Sequence, residues 1–189
     1  MASNETKLGT GLATGMFYHA PAGTTLPSYP GETLPAAWKH IGDVTEDGIE
    51  LANEKSVELL RNWAHVVKRA VAKDHTETVK SPIMDTTEES MKTVLGAANV
   101  TKINANASHG KVLMVNLSAG DVPEAEAFLW LMKDGDDMMA IGCTRGQVTK
   151  VENVTFKPGE AVTWTPTITA LGDGFKLIID DGQKTGAGA

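Results

Sequence analysis

The sequence has only one cysteine, Cys143, among its 189 residues. An internal disulfide is therefore impossible, and we expect a protein of a reducing compartment or one that is indifferent to redox conditions. No convincing catalytic partner for the thiol stands out in the sequence. We therefore interpret Cys143 as a small buried hydrophobic residue and not as a reactive nucleophile.

Long apolar segments are also missing. No stretch approaches the roughly 18 continuous apolar residues that a membrane-spanning helix needs. The first residues, MASNETKLGTG, have neither the basic start nor the apolar stretch of a signal peptide. We therefore expect neither secretion through a signal peptide nor insertion into a membrane.

Positive charge is scarce. The chain has 17 Lys and Arg against 24 Asp and Glu, which gives a net charge of −7 and a pI near 5.2. Binding to nucleic acid backbones depends on Lys and Arg that displace counterions from phosphates. We therefore expect a surface that repels DNA and does not grip it.

Catalytic and ligand-binding motifs are missing as well. No GxSxG, Walker loop, HExxH or paired-carboxylate motif is present. GTGLATG, residues 9–15, resembles a dinucleotide fingerprint, but its third glycine is at the wrong position. DGDD, residues 134–137, lacks the terminal Glu of a calcium loop, and we interpret it as a solvated turn. We predict no catalytic residue, no cofactor and no metal site. The histidines, which lack metal-ligand spacing, are His19, His40, His65, His75 and His109.

The apolar content, 41%, is sufficient for one globular domain with a packed core. Residues 1–37 hold five glycines and four of the eight prolines, which favours an extended arm, since Pro cannot donate to a strand ladder. The last residues, GQKTGAGA, predict a flexible tail. We therefore predict an arm at 1–37, a β-domain at 38–181 and a tail at 182–189.

Strand patterns are expected to begin after Trp38. VTWTPTITA, residues 162–170, alternates apolar and polar residues, and Pro166 should confine it to an edge or a bulge. FKLIID, residues 175–180, is predicted to form a hairpin with it. Asp47-Gly48 predicts a tight primed turn that closes another hairpin, because Gly supplies the positive φ. Further strands are predicted at 110–118, 125–133 and 142–156, and within 62–84 on either side of AKDH.

One segment, TTEESMKTVLG, favours a helix. Thr86 and Glu89 have the spacing of a capping box, the apolar residues from Met91 to Leu95 form a stripe, and Gly96 suits a left-handed cap. One helix among about eight strands predicts a mainly β fold. We expect a β-sandwich or barrel with one flanking α-helix, an extended N-terminal arm and a C-terminal tail.

Apolar residues outside the strand patterns need partners. The arm carries apolar and aromatic residues that have no evident reason to remain in water: Leu12, Met16, Phe17, Tyr18 and Leu26. We expect the arm to order on a neighbouring molecule, so that deletion of residues 1–35 leaves a folded core but abolishes or strongly weakens assembly. The tryptophans favour core packing over a platform for bases, because basic residues do not interleave with them densely; they are Trp38, Trp63, Trp130 and Trp164.

Three segments occur in an informative order: APAGTTLP at 20–27, AAW at 36–38 and IGDVTEDGIEL at 41–51. This order resembles the N-terminal signature of the major tail tube proteins of long-tailed bacteriophages. The resemblance continues through a charged strand pair at 55–83, a short helix at 85–96 and closing strands to Asp180. The sequence departs from the family's common pattern in having Asp85 where Glu is frequent. We also expect no immunoglobulin-like domain of the kind that some relatives carry.

The resemblance implies a non-enzymatic structural subunit. It implies that six copies form a ring, that rings stack into a tube, and that unpaired strand edges drive assembly. The implied partners are other copies of the chain, a tape measure protein and the tail terminator and tip proteins, while DNA passes through the lumen without specific binding. The implied location is the virion tail, after assembly in the cytoplasm of the bacterial host.

Two alternatives remain open: a tube protein of a contractile tail or secretion apparatus, and a monomeric β-sandwich that binds a carbohydrate or peptide. By analogy with the family, we predict a contact to the next ring at a hairpin of residues 66–78, with its tip in VKRAVAKDH. The candidate assembly and structural residues are Leu12, Phe17, Tyr18, Leu26, Trp38, Asp47, Gly48, Lys68, Arg69, Lys73 and Asp74.

Overall fold

A computed structural model of the chain describes residues 10–11, 16–117, 120 and 122–183. These residues form eleven β-strands, one α-helix and one 3-10 turn. The elements are β1 Thr10–Gly11, β2 Phe17–Pro21, β3 Lys39–Gly42, β4 Glu50–Arg61, β5 Val67–Lys80, α1 Glu88–Leu95, the 3-10 turn Ala97–Asn99, β6 Val100–Ile103, β7 Val112–Val115, β8 Glu126–Asp134, β9 Asp137–Val151, β10 Pro166–Ala170 and β11 Lys176–Asp180.

The sheet has nine strands, which pair antiparallel in the order β3-β2-β8-β9-β10-β5-β4. Two further pairings complete it, β1 with β8 and β11 with β9, while β6 and β7 form a separate two-stranded ribbon. The prediction of a mainly β chain with a single helix is confirmed.

The centre of the sheet is buried on both faces. Alternate residues of β8 explain why: Phe128 and Trp130 join a core cluster with the helix residue Met91, whereas Leu129 and Leu131 join a second cluster with Trp38. A strand covered on both faces needs apolar residues at nearly every position, which is what AEAFLWLMK supplies.

Part of the expected arm belongs to the sheet. The strand β2 lies between β3 and β8, and its Phe17 is fully buried, with its ring stacked on Trp130 at a centroid distance of 4.6 Å. The expectation that regular strands begin after Trp38 is therefore wrong, because these apolar residues find partners in their own chain. The division into arm, domain and tail stays a prediction.

The strand β11 pairs with β9 and not with β10, so the hairpin predicted from these two segments is wrong. The strand β9 is 15 residues long and pairs with β10 along its second half and with β11 along its first half. Pro166 begins β10 and a register shift follows at Thr167, as a bulge requires, but the strand lies inside the sheet and not at its edge.

The Asp47-Gly48 turn exists, but it does not close a hairpin. The Gly48 N–H donates to the Thr45 carbonyl at 3.0 Å, and Gly48 has φ 71°. His65 is the only non-glycine residue with positive φ in the described part of the chain, so Asp47 lacks the φ of a primed turn. The flanking strands β3 and β4 pair with β2 and β5, and the predicted hairpin is wrong.

The helix α1 is capped one residue later than predicted. Thr87 is the N-cap, and its capping box is formed with Ser90. Thr86 instead accepts a hydrogen bond from the Trp164 indole at 3.0 Å, and Gly96, with φ 92° and ψ 137°, is not in the left-handed helical region. The predicted apolar stripe is confirmed, since Met91 and Val94 are buried.

Two single-residue interpretations have different outcomes. Cys143 is 1% exposed, and desolvation raises the pKa of its thiol to about 11, so the interpretation as a buried hydrophobic residue is confirmed.

Three tryptophans are buried, but Trp63 is 100% exposed. Core packing is therefore wrong for Trp63, which lies at the end of a projecting hairpin.

Candidate assembly interface

The hairpin of β4 and β5 is the most exposed element of the fold. Its ladder runs from Glu50 opposite Lys80 to Arg61 opposite Val67, so AKDH lies within β5 and the tip predicted in VKRAVAKDH is wrong. Among the described strands, β10 alone joins the hairpin to the sheet, through residues 78–80 of β5. The nine residues 53–61 of β4 therefore project by about 30 Å at roughly 3.3 Å per residue.

Both faces of the projecting part meet solvent. Nearly every residue of β4, and every residue of β5 as far as Thr76, is exposed. An isolated two-stranded hairpin is at best marginally stable in water, because it has no second layer to bury its side chains. A hairpin of this length is therefore a surface that another molecule would cover.

Apart from Leu51, the large apolar residues that the hairpin exposes lie in its outer half. Val57 lies opposite Ala72, and Leu59 lies opposite Ala70, so these side chains share one face. Val57 and Leu59 are each 47% exposed. Next to them, towards the sheet, the same face carries polar residues, with His75 Nε2 at 3.0 Å from Asn53 Oδ1.

The tip presents one aromatic side chain on an ordered turn. The Val66 N–H donates to Asn62 Oδ1 at 2.9 Å, and the Arg61 guanidinium donates to the His65 carbonyl at 3.0 Å. His65 has φ 59°, a left-handed conformation that costs a non-glycine residue about 1 to 2 kcal/mol. These contacts hold Trp63 outward in full contact with solvent, and an exposed Trp on an ordered turn is typical of a binding surface.

Charge separates the outer hairpin from the rest of the protein. Residues 57–73 carry four cations and one carboxylate, a net charge of +3, which leaves 13 cations and 23 carboxylates, a net charge of −10, in the rest of the chain. The four cations are Arg61, Lys68, Arg69 and Lys73. In the described part of the chain no ion pair involves the last three of them.

The structure groups the predicted hairpin residues along β5. Lys68 and Lys73 lie at the two register shifts of the ladder, while Arg69 and Asp74 pair with Leu60 and Ser56. A shift adds an unpaired residue and increases the local twist. The charged residues named from the sequence thus lie on one element, beside the apolar outer face.

The other predicted residues lie elsewhere. Leu12 falls outside the described residues. Ordering only on a neighbouring molecule is wrong for Phe17, which is inaccessible in its own core. Tyr18, Leu26 and Trp38 pack in the second cluster, and burial, followed by the charge of Asp43, raises the pKa of Tyr18. Asp47 and Gly48 form the exposed turn described above.

Sequence reasoning missed the apolar residues of the outer hairpin, Val57, Leu59 and Trp63. Alternation in SVELLR was available as a signal for a strand, but no Gly or Pro marks the tip at residues 62–66. Asn62 and His65 are weaker turn signals. The same pattern also fits a strand that is half buried in a sheet, so the sequence could not distinguish a packed face from a projecting one.

The rest of the described structure offers no group of side chains suited to metal binding. In residues 10–11, 16–117, 120 and 122–183, no group of three His, Cys, Asp or Glu side chains could hold a metal ion. His19 lies between Glu126, at 3.1 Å, and Glu89, at 3.6 Å, and thereby connects β2, β8 and α1. None of the helices in the described residues has the length and apolar character needed to cross a membrane.

A family model described as phage tail tube protein matches residues 1–180. The chain belongs to the phage tail tube protein family. The match confirms the resemblance drawn from the N-terminal segments, and it covers β2, the projecting hairpin and the closing strands. The phage tail tube family is structural and not enzymatic, and membership implies that copies of the chain assemble into a tube. The comparison with curated proteins gives no match.

Proposed function

We propose that this chain assembles into stacked hexameric rings that form the channel for DNA delivery into the host. The observation that supports this proposal is the projecting hairpin of β4 and β5, whose outer half exposes Val57, Leu59 and Trp63 to solvent. A contact between a hairpin and a different surface of the next copy is heterologous. Such contacts close into rings or extend into filaments.

The charge of the chain fits a channel for DNA. Six copies carry six times −7, or −42 per ring. A lumen that carries part of this charge repels phosphates, so that DNA slides and does not bind. A tape measure protein sets the length of the tube, terminator and tip proteins close its ends, and assembly takes place in the host cytoplasm.

The test replaces residues 57–73 by Asn-Gly. Because Ser56 lies opposite Asp74, a two-residue turn can close the shortened hairpin at that pair. We expect the wild type to form rings or tubes in negative-stain microscopy. The shortened protein should remain a folded monomer by circular dichroism and sedimentation.

A matched pair of substitutions separates the hairpin from general surface hydrophobicity. Trp63→Ser should abolish tubes, whereas Phe156→Ser removes an aromatic ring that is 69% exposed outside the hairpin and should leave them intact. Tubes of normal appearance from the shortened protein would exclude the hairpin as the contact. A wild type that stays monomeric at high concentration would instead favour a monomeric binding β-sandwich.

A further inference from the structure

Five aspartates meet at one end of the sheet. Asp134 and Asp137 flank the two-residue turn between β8 and β9, and Asp180 ends β11 opposite Met138. The chain then passes close to this turn, because a Cβ on Gly182 would lie 2.6 Å from the Asp136 carbonyl. Segments 133–137 and 179–183 together hold five aspartates and one lysine, a net charge of −4; we call them the aspartate end.

Exposed apolar residues lie at the aspartate end and beside it. Leu177 and Ile179 of β11 are 56% and 52% exposed. In the described sheet β11 pairs only with β9, so its other edge presents unpaired backbone groups. The aspartate end thus combines an acidic rim with an apolar strand at an open edge, which is the kind of edge that natural sheets usually protect.

We propose that the outer half of the hairpin of one copy docks on the aspartate end and β11 of a second copy. This proposal rests on the proposed function and names the surface that receives the hairpin. The charges are complementary, +3 on residues 57–73 against −4 on the aspartate end. Each surface also has exposed apolar side chains, Leu59 and Trp63 on the hairpin and Leu177 and Ile179 on β11.

The two surfaces differ, so the contact has a direction. Two hairpins repel each other because both are cationic, and two aspartate ends repel each other because both are anionic. A hairpin therefore selects the opposite surface of the next copy. Each added copy then offers a new hairpin or a new aspartate end, so that association continues.

The test uses two charge-reversed proteins. One carries K68E, R69E and K73E on the hairpin, and the other carries D136K, D180K and D181K on the aspartate end. Each protein alone places like charges at every contact, so we expect the protein concentration needed for tubes to rise at least about tenfold. In an equal mixture, copies of the two proteins can alternate, which restores opposite charges at every contact, so the mixture should form tubes near the wild-type concentration, as measured by sedimentation and microscopy.

Controls keep the outcomes distinct. K39E, K150E and K157E make the same change in net charge outside the hairpin and should assemble like the wild type. Circular dichroism shows whether each variant is folded. If the wild type forms tubes but the mixture of folded variants does not recover, the aspartate end is not the receiving surface. Normal assembly of the hairpin variant alone would also overturn the proposal, and neither result would contradict a tail tube function.

Discussion

Phe17 joins the beginning of the chain to the core through its aromatic ring. The ring stacks on Trp130 and lies 6.0 Å from the ring of Phe128. We expect Phe17→Ala to lower the free energy of unfolding by about 3 to 5 kcal/mol, because it leaves a cavity in a fully buried position. Urea unfolding measures the loss. Trp63→Ala is the control and should leave the midpoint unchanged, since its side chain contacts solvent.

Position 48 favours glycine because of its backbone conformation and not because a side chain would lack space. A Cβ at this position would meet no atom within 4 Å, but φ is 71°. We expect Gly48→Val to destabilise the fold by about 1 to 2 kcal/mol through left-handed strain alone. Gly48→Asn should cost much less, because Asn tolerates this conformation. Equal losses for both variants in chemical denaturation would contradict this explanation.

Glu88 connects α1 to the ribbon of β6 and β7. Its carboxylate lies 2.9 Å from Lys92 and 3.1 Å from Lys102. Hydrogen bonds from Lys92 and then from Lys102 lower its pKa from 4.5 to about 2. Since the pKa is lower in the folded state, the stabilisation is fully present above pH 4.5 and is lost as the pH falls through about 2.

The variant Glu88→Gln tests whether the charge of Glu88 stabilises the fold. We expect its urea midpoint to lie below that of the wild type at pH 6, and the difference to shrink as the pH falls from 4.5 towards 2. Glu160→Gln, at an exposed pair with Lys157, is the control and should show a smaller difference. A Glu88→Gln difference that is constant over this pH range would show that the charge of Glu88 does not stabilise the fold.

At the scale of elements, the N-terminal segment and the hairpin have opposite roles. Removal of residues 1–35 deletes β2 from between β3 and β8, so we expect an unfolded or aggregated protein. The shortened hairpin, which lacks residues 57–73, should keep its core because the lost side chains are exposed. Circular dichroism and thermal unfolding compare the two proteins. A cooperatively folded 36–189 fragment would support the expectation drawn from the sequence alone.

At the scale of the whole molecule, a contact between two different surfaces predicts that a copy lacking one of these surfaces stops the growth of a tube. The shortened protein keeps its aspartate end but lacks the hairpin surface, so it can join a growing tube and then offers no outer hairpin to the next copy. We expect shorter tubes when a small fraction of shortened protein is mixed with the wild type. Tube lengths from microscopy provide the measurement. An unchanged length distribution would argue against a one-directional contact through the hairpin.

The sequence by itself determined features that depend on neighbouring residues. The apolar run around Trp130 specified a strand, the stripe of Met91 and Val94 specified the helix, and DGDD specified the turn between β8 and β9. Each of these rests on local periodicity or on the conformational range of one or two residues. The order of the N-terminal segments also indicated the family, and the family match confirms it.

The tertiary structure decided which strands pair and which side chains are buried. Phe17 and Trp63 are both aromatic residues, yet one is fully buried and the other is 100% exposed. Likewise, β11 pairs with β9, although β10 is nearer in sequence. The physical reason is that burial and pairing depend on contacts between distant segments, and the local alternation of a strand is the same whether its partner is the sheet, solvent or a second copy.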